Sequence, residues 1–333
     1  MPASRIALEK EDRNIDHALR PHAWSEYVGQ EKVKRNLRII IDAAKKRKEV
    51  MDHVLFSGQA GLGKTTLAYL VGKELGAIVK TTSGPALEKS GDIAAILTNL
   101  EPGSVLFIDE AHRMNRVIEE VLYPAMESRA LHVMVGKGPS ARSLTINLPP
   151  FCLIAATTRE NLLSGPLRTR FGATLRLDFY DHDDIARILA RSAGILGANI
   201  SEGAVGILAG ASRGTPRVAN RLLKRARDFA DVQGTHSIDE TIAQKTLELL
   251  EVDRVGLEPE DRKLLRVVIE KFNGGPVGVG TLAAALSEER GVIEDIYEPY
   301  LMKLGFLKRT PAGRVVLPAA YEHLHAMHPG RLI

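Results

Sequence analysis

The 333-residue sequence predicts an α/β fold: a parallel sheet with crossover helices, then a helical region, then a small C-terminal winged helix. Three observations predict it. Between roughly residues 50 and 180, short continuous apolar runs alternate with helical patterns, the rhythm of strands buried on both faces. From Asp183 to about Leu250 the pattern is helical and no strand-like run interrupts it. From about Gly256, helical stretches give way to "FLKRTPAGRVVLP", two short strands around a Pro-Ala-Gly turn.

The strands of the first region are read at "HVLFSG", "AIVKTTSG", "SVLFIDEA", "FCLIAATT" and "LRLDFY". Between the third and fourth lies "ALHVMVGKGPSARSLTINLPP", which reads as a β-hairpin over 131–148 with Gly136, Lys137, Gly138 and Pro139 in its turn. Its Val133, Met134, Val135 and Leu144 are candidates either for an exposed docking surface or for ordinary core packing. The helical region opens at "HDDIARILARSAG" with an acidic first turn. The last region supplies "EDRKLLRVVIEKF", "TLAAALSEE" and "VIEDIYEPYLMKL" before the hairpin. These boundaries divide the chain into 1–180, 181–252 and 253–333.

Composition narrows the function classes. A hydrophobic fraction of 44% with 26% charged residues is ordinary for a globular protein. No apolar run approaches the roughly 20 residues that span a bilayer, and the N-terminus lacks the apolar core of a secretory signal, so a cytoplasmic location is expected. One cysteine, Cys152, excludes an intrachain disulfide, and its apolar surroundings mark a core thiol. The histidines form no metal-binding spacing. A net charge of +4 is a weak pointer to an anionic partner.

The chemistry lies in two motifs. "GQAGLGKT", Gly58 to Thr65, follows an apolar strand and opens a helix, the context a phosphate-binding loop requires. Glycines such as Gly61 and Gly63 let backbone N–H groups close around phosphate oxygens, and the helix start adds partial positive charge. Lys64 would neutralise β- and γ-phosphate oxygens and Thr65 would ligate Mg²⁺; Thr66 is a further candidate for nucleotide binding. "VLFIDEAH" ends a buried strand in Asp109, for the Mg²⁺ shell, and Glu110, to orient or deprotonate an attacking water. His112 reads as the start of the next helix.

These motifs, followed by the polar strand end "AATT", "LRTRFG" and "GTPR", stand in the order that resembles AAA+ ATPases. The resemblance implies ATP/ADP and Mg²⁺ as ligands, with Thr158 as a sensor of the γ-phosphate and Arg217 as a second sensor. Thr215 as cap and Pro216 at the first helical position aim Arg217 from a helix start. Arg170 is then an arginine finger supplied to the neighbouring subunit, with Arg168 sharing the task or holding the interface. By the same resemblance Leu19, Arg20, Tyr27 and Val28 border adenine and Tyr180 adds a wall; core packing explains the apolar and aromatic ones equally well.

On the winged helix, Arg309 and Arg314 flank the "TPAG" tip and face phosphates, and Arg290 adds a contact or merely sits on a solvated face. Glu294, Asp295 and Glu298 disfavour base reading by the preceding helix, so DNA binding is expected to be sequence-independent. "LRPHAWSEYVGQ", "GKGPSAR", "ATTR" and "GFLKRTPAGRV" extend the resemblance over nearly the whole chain to the RuvB family of bacterial Holliday-junction branch-migration ATPases. That resemblance implies an AAA+ ATPase domain, a helical lid and a DNA-binding head, assembled as a homo-oligomeric, hexameric ring on junction arms. It also implies RuvA as partner through the 131–148 hairpin, RuvC in the wider complex, and a role in recombination and DNA repair. A clamp-loader-like or initiator-like switch would share the ATPase residues, and a non-motor DNA-binding regulator would use nucleotide only for assembly.

Overall fold

The computed structural model describes residues 18–135 and 142–325, and the chain divides into two compact units, Met1–Tyr180 and Asp181–Ile333. The first unit is built on five parallel strands: β1 (Val54–Ser57), β2 (Val79–Ser83), β3 (Val105–Asp109), β6 (Cys152–Thr157) and β7 (Ala173–Arg176), in the order β2-β3-β6-β1-β7. β1, β3 and β6 are the near-continuous apolar strands that central positions demand, and all six residues of β6 are buried. One face is covered by the helices Ser90–Thr98 and Arg116–Glu127, whose Ile93, Leu97, Ile118 and Leu122 pack with Leu106, Ile108 and Leu153 of the sheet.

Two expectations about this sheet are corrected. β2 and β7 are edge strands with one neighbour each, and their residues are only partly buried. β7 also starts earlier than the run "LRLDFY", pairing Ala173–Arg176 with Val54–Ser57. Beyond Leu177 the chain leaves the sheet because the Gln30 side chain takes over its hydrogen bonds, donating to the Asp178 carbonyl at 2.6 Å and accepting from its N–H at 3.3 Å.

The hairpin is β4 (Ala130–Val135) and β5 (Arg142–Asn147), antiparallel; the turn at Gly136–Pro139 lies outside the described residues. Leu131 belongs to the main core, Val133 and Ile146 pack partly against it, and Leu144 is 52% exposed. The candidate docking surface is therefore narrower than expected, with Val133 turned partly inward.

In the second unit four helices, His182–Leu196, Glu202–Gly210, Pro216–Gln233 and Glu240–Leu249, start by one device. Asp181, Ser201, Thr215 and Asp239 each accept a hydrogen bond from the N–H three residues on, satisfying a donor the helix leaves open. A two-residue parallel pairing of β8 (Asn199–Ile200) with β9 (Ser237–Ile238) interrupts the helical pattern and is too short to register as a strand signal. The winged region follows: helices Pro259–Phe272 and Val279–Leu286, a segmented helix, then β10 (Leu307–Thr310) and β11 (Gly313–Val316), with Val277 bridged to Arg314 as a third short rung. The segmented helix contains a π turn, Ile293–Tyr297, that ends two residues before Pro299. Proline has no N–H to return to the carbonyl of Asp295 and its ring would collide with it, so the turn widens.

Candidate functional site

The phosphate-binding loop joins β1 to the helix Lys64–Leu75. Gly63 closes it in left-handed geometry (φ 96°), and a Cβ there would stand 2.7 Å from the Tyr27 hydroxyl, so only glycine fits. Lys64, 7% exposed, donates to the carbonyls of Gly58 at 2.7 Å and Gln59 at 2.8 Å, which fixes its ammonium inside the loop. Thr65 Oγ1 donates to Asp109 Oδ2 at 3.0 Å, across from the end of β3. Asp109 Oδ1 accepts the N–H of Glu110 at 2.8 Å, so both of its oxygens are oriented.

A hydroxyl and a carboxylate, both hard oxygen donors, meet beside the loop that joins β1 to the helix Lys64–Leu75. That donor set fits Mg²⁺, which keeps waters and phosphate oxygens in its shell and needs few protein ligands. Among the described residues no cluster of three or more His, Cys, Asp or Glu could hold a metal unaided.

Glu110 links the end of β3 to the turn Ala111–Arg113. Its backbone is left-handed (φ 48°), its side chain is half-exposed, and Arg113 donates to it at 3.0 Å. Gly84 packs on the Glu110 carbonyl, where a Cβ would come within 2.4 Å. The sequence offered only a Ser-Gly-Pro turn as a sign of that contact. His112 sits in the short 3₁₀ turn Ala111–Arg113, its Nδ1 3.2 Å from the Thr157 hydroxyl, which also accepts the Arg159 N–H. The end of β6 is thereby pinned at Thr157. Among the described residues the adjacent Thr158 hydroxyl makes no hydrogen bond.

Leu19, Tyr27 and Tyr180 are buried, Val28 is half-buried and Arg20 is exposed. Tyr180 donates to the Leu62 carbonyl at 3.2 Å and lies 3.1 Å from the Tyr27 hydroxyl, so the two tyrosines buttress the loop between Gly61 and Gly63. Burial, reinforced by Tyr180, pushes the Tyr27 phenol well above its usual range and keeps it a donor. Thr66 is half-buried on the first turn of the Lys64–Leu75 helix.

Arg170 follows the short helix Gly165–Arg168, capped by Ser164. Its guanidinium pairs with Glu127 at 2.9 Å, donates to the Pro166 carbonyl at 2.7 Å and stands 4.7 Å over the Tyr123 ring. Arg168 is exposed. In the second unit Arg217 occupies the second position of the helix that Thr215 caps, as expected.

The wing departs from expectation. Glu298 is fully buried and binds both wing arginines: Arg309, and Arg314 Nε at 2.7 Å; Arg314 also reaches Glu294 at 2.9 Å. Arg314 is 13% exposed against 46% for Arg309. Two corrections follow. Arg314 is spent on holding the wing to its helix, and Glu294 and Glu298 are neutralised partners, not free charges that repel phosphate. Arg290 and Lys308 are exposed and form no ion pair among the described residues. Glu298→Gln removes the charge between two arginines and is expected to lower stability by about 1.5–3 kcal/mol, read in a urea melt; an unchanged midpoint would show that the cluster holds nothing.

A family model described as the Holliday junction DNA helicase RuvB P-loop domain matches residues 19–177; the RuvB AAA lid domain matches 180–253 and the RuvB C-terminal winged helix domain 254–325. The Thermotoga maritima RuvB Holliday junction branch migration motor is 47% identical, covering 94% of this chain and 100% of that one, with TM-score 0.86. Its K64R mutant matches at 47% identity over 93% of this chain and 99% of that one, TM-score 0.87. The Aeropyrum pernix ORC2 protein, in ADPNP-ADP complexes, is 17% identical over 89% and 91% at TM-score 0.53, a likeness of fold alone.

Proposed function

The chain belongs to the RuvB family of P-loop AAA+ ATPases, and from that premise we propose that it is a ring-forming motor that uses ATP to drive branch migration of Holliday junctions with RuvA. The observation that carries the reading is the Lys64–Thr65–Asp109 constellation on one chain with a winged-helix region. In this reading the three divisions 1–180, 181–252 and 253–333 are ATPase domain, lid and head.

The roles follow from the chemistry. Lys64 and the N–H groups at Gly61, Gly63, Thr65 and Thr66 hold the phosphates. Thr65 and Asp109 would hold Mg²⁺, which when bound would neutralise phosphate charge. Glu110 accepts a proton from water, and Thr158 and Arg217 report the γ-phosphate. Leu19, Arg20, Tyr27, Val28 and Tyr180 border the base, and Arg170 completes the pocket of a neighbouring copy. Arg290 and Arg309, with Lys308, contact DNA phosphates without reading sequence. Leu144 and the hairpin form the RuvA surface, and RuvC joins the wider complex in recombination and repair in the cytoplasm. No helix among the described residues is long and apolar enough to cross a membrane.

The test is ATP-dependent dissociation of a synthetic four-way junction with and without RuvA. Conversion that requires hydrolysable ATP and accelerates with RuvA is expected. ATP hydrolysis with no junction movement under both conditions would sink the motor reading.

A further inference from the structure

The second unit contains a junction that none of these roles uses. The turn Ser212–Thr215, which leads into the helix carrying Arg217, is locked to the start of the winged region. Arg213 donates to both oxygens of Asp261, at 2.8 and 3.4 Å, and its guanidinium lies 4.6 Å over the Tyr300 ring. A third contact runs to the Ile296 carbonyl at 3.5 Å. Asp261 is fully buried and also accepts the Glu258 N–H at 2.9 Å, closing the cap of the helix Pro259–Phe272.

Two contacts run in parallel with this pair. Gly256 packs on the Ala211 carbonyl, where a Cβ would stand 2.5 Å away. Arg221, one turn after Arg217 on the same helix, pairs with Glu258 at 2.5 Å. A flexible hinge would leave these groups to water. Here a charge pair is taken out of water and paid for with two hydrogen bonds and an aromatic face, an arrangement that tolerates one geometry only.

We propose that Arg213 is a positioning residue that makes the Arg217 helix and the DNA-binding wing one body, so that a nucleotide-driven displacement of that helix is delivered to DNA. The inference rests on the reading of Arg217 as a nucleotide sensor. Loss of the lock should separate fuel use from movement: ATP is hydrolysed while the wing no longer follows.

The experiment measures ATP hydrolysis and junction migration on the same full-length sample for wild type, Arg213→Ala and the near-isosteric Asp261→Asn. Hydrolysis is expected to persist while migration per ATP falls by about tenfold. In the Arg213→Ala background, Arg221→Cys and Glu258→Cys joined by a short bismaleimide should restore the ratio; Cys152 is buried and does not compete. The proposal is overturned if migration per ATP stays at the wild-type value, if both activities fall in proportion, or if the cross-link restores nothing. Should Arg213→Ala fail to fold, Asp261→Asn with the same cross-link gives the same readings. Arg217→Ala separates the two ideas: unchanged KM and kcat for ATP would remove the sensor reading, while the migration ratio still reports on Arg213.

Discussion

Arg170→Ala is expected to bind ATP within about twofold of wild type and to hydrolyse it about 10³–10⁵ times more slowly. A guanidinium stabilises charge that develops on the transferring phosphoryl group, so its loss appears in kcat and leaves ground-state affinity alone. In this chain Arg170 is docked on Glu127 and Tyr123, with Glu127 60% exposed. The Arg170 side chain is itself only 21% exposed, so it is held in place, and the solvent-exposed carboxylate of Glu127 is the partner that a stronger anion would replace. The decisive measurement mixes Arg170→Ala with Lys64→Ala, each inactive alone. If the finger serves a neighbour, mixed assemblies contain pockets with an intact lysine from one copy and an intact arginine from the other, and activity returns. Continued inactivity of stable mixed assemblies, or full turnover by Arg170→Ala, rejects the assignment.

The sequence made the phosphate loop and the end of β3 legible because both depend on local rules: glycine where the backbone must close, and a carboxylate where a buried strand ends. Cap chemistry is equally local, and Thr215 with Pro216 sets the start of the Arg217 helix without any tertiary contact. What escaped notice depends on partners distant in sequence. Arg314 lies sixteen residues from Glu298, and the order of basic and acidic residues along the chain set Arg314 toward DNA phosphate and Glu298 against it, although the two are paired with each other. The Gln30 side chain ends β7 from 148 residues away, which no apolar pattern around Leu177 discloses. Gly84 and Tyr27 have the same character: each matters through the residue it touches, Glu110 or Gly63. Pro299 is different, because its effect on Asp295 four residues earlier is local, and the widened turn could have been read from the sequence.

Glu110→Gln is expected to retain ATP and lower turnover by about 10²–10⁴, with bound nucleotide accumulating as ATP and not ADP. The geometry divides labour between two adjacent carboxylates. Asp109 has both oxygens engaged, one by Thr65 and one by the Glu110 N–H, which suits a group that holds position. Glu110 projects from a left-handed turn with its carboxylate half-exposed and tied only to Arg113 among the described residues. That pair is exposed enough to open, so the carboxylate is available to accept a proton from water. Glutamine keeps the size and the Arg113 contact but has no basic oxygen. Asp109→Asn should behave differently, raising the Mg²⁺ concentration needed for half-maximal turnover, because it would weaken the proposed metal ligand. Single-turnover quench of preloaded samples distinguishes them. If Glu110→Gln hydrolyses its bound ATP at the wild-type rate, proton transfer resides elsewhere; if it fails to load ATP at all, Glu110 serves binding and the proposed division between the two residues is wrong.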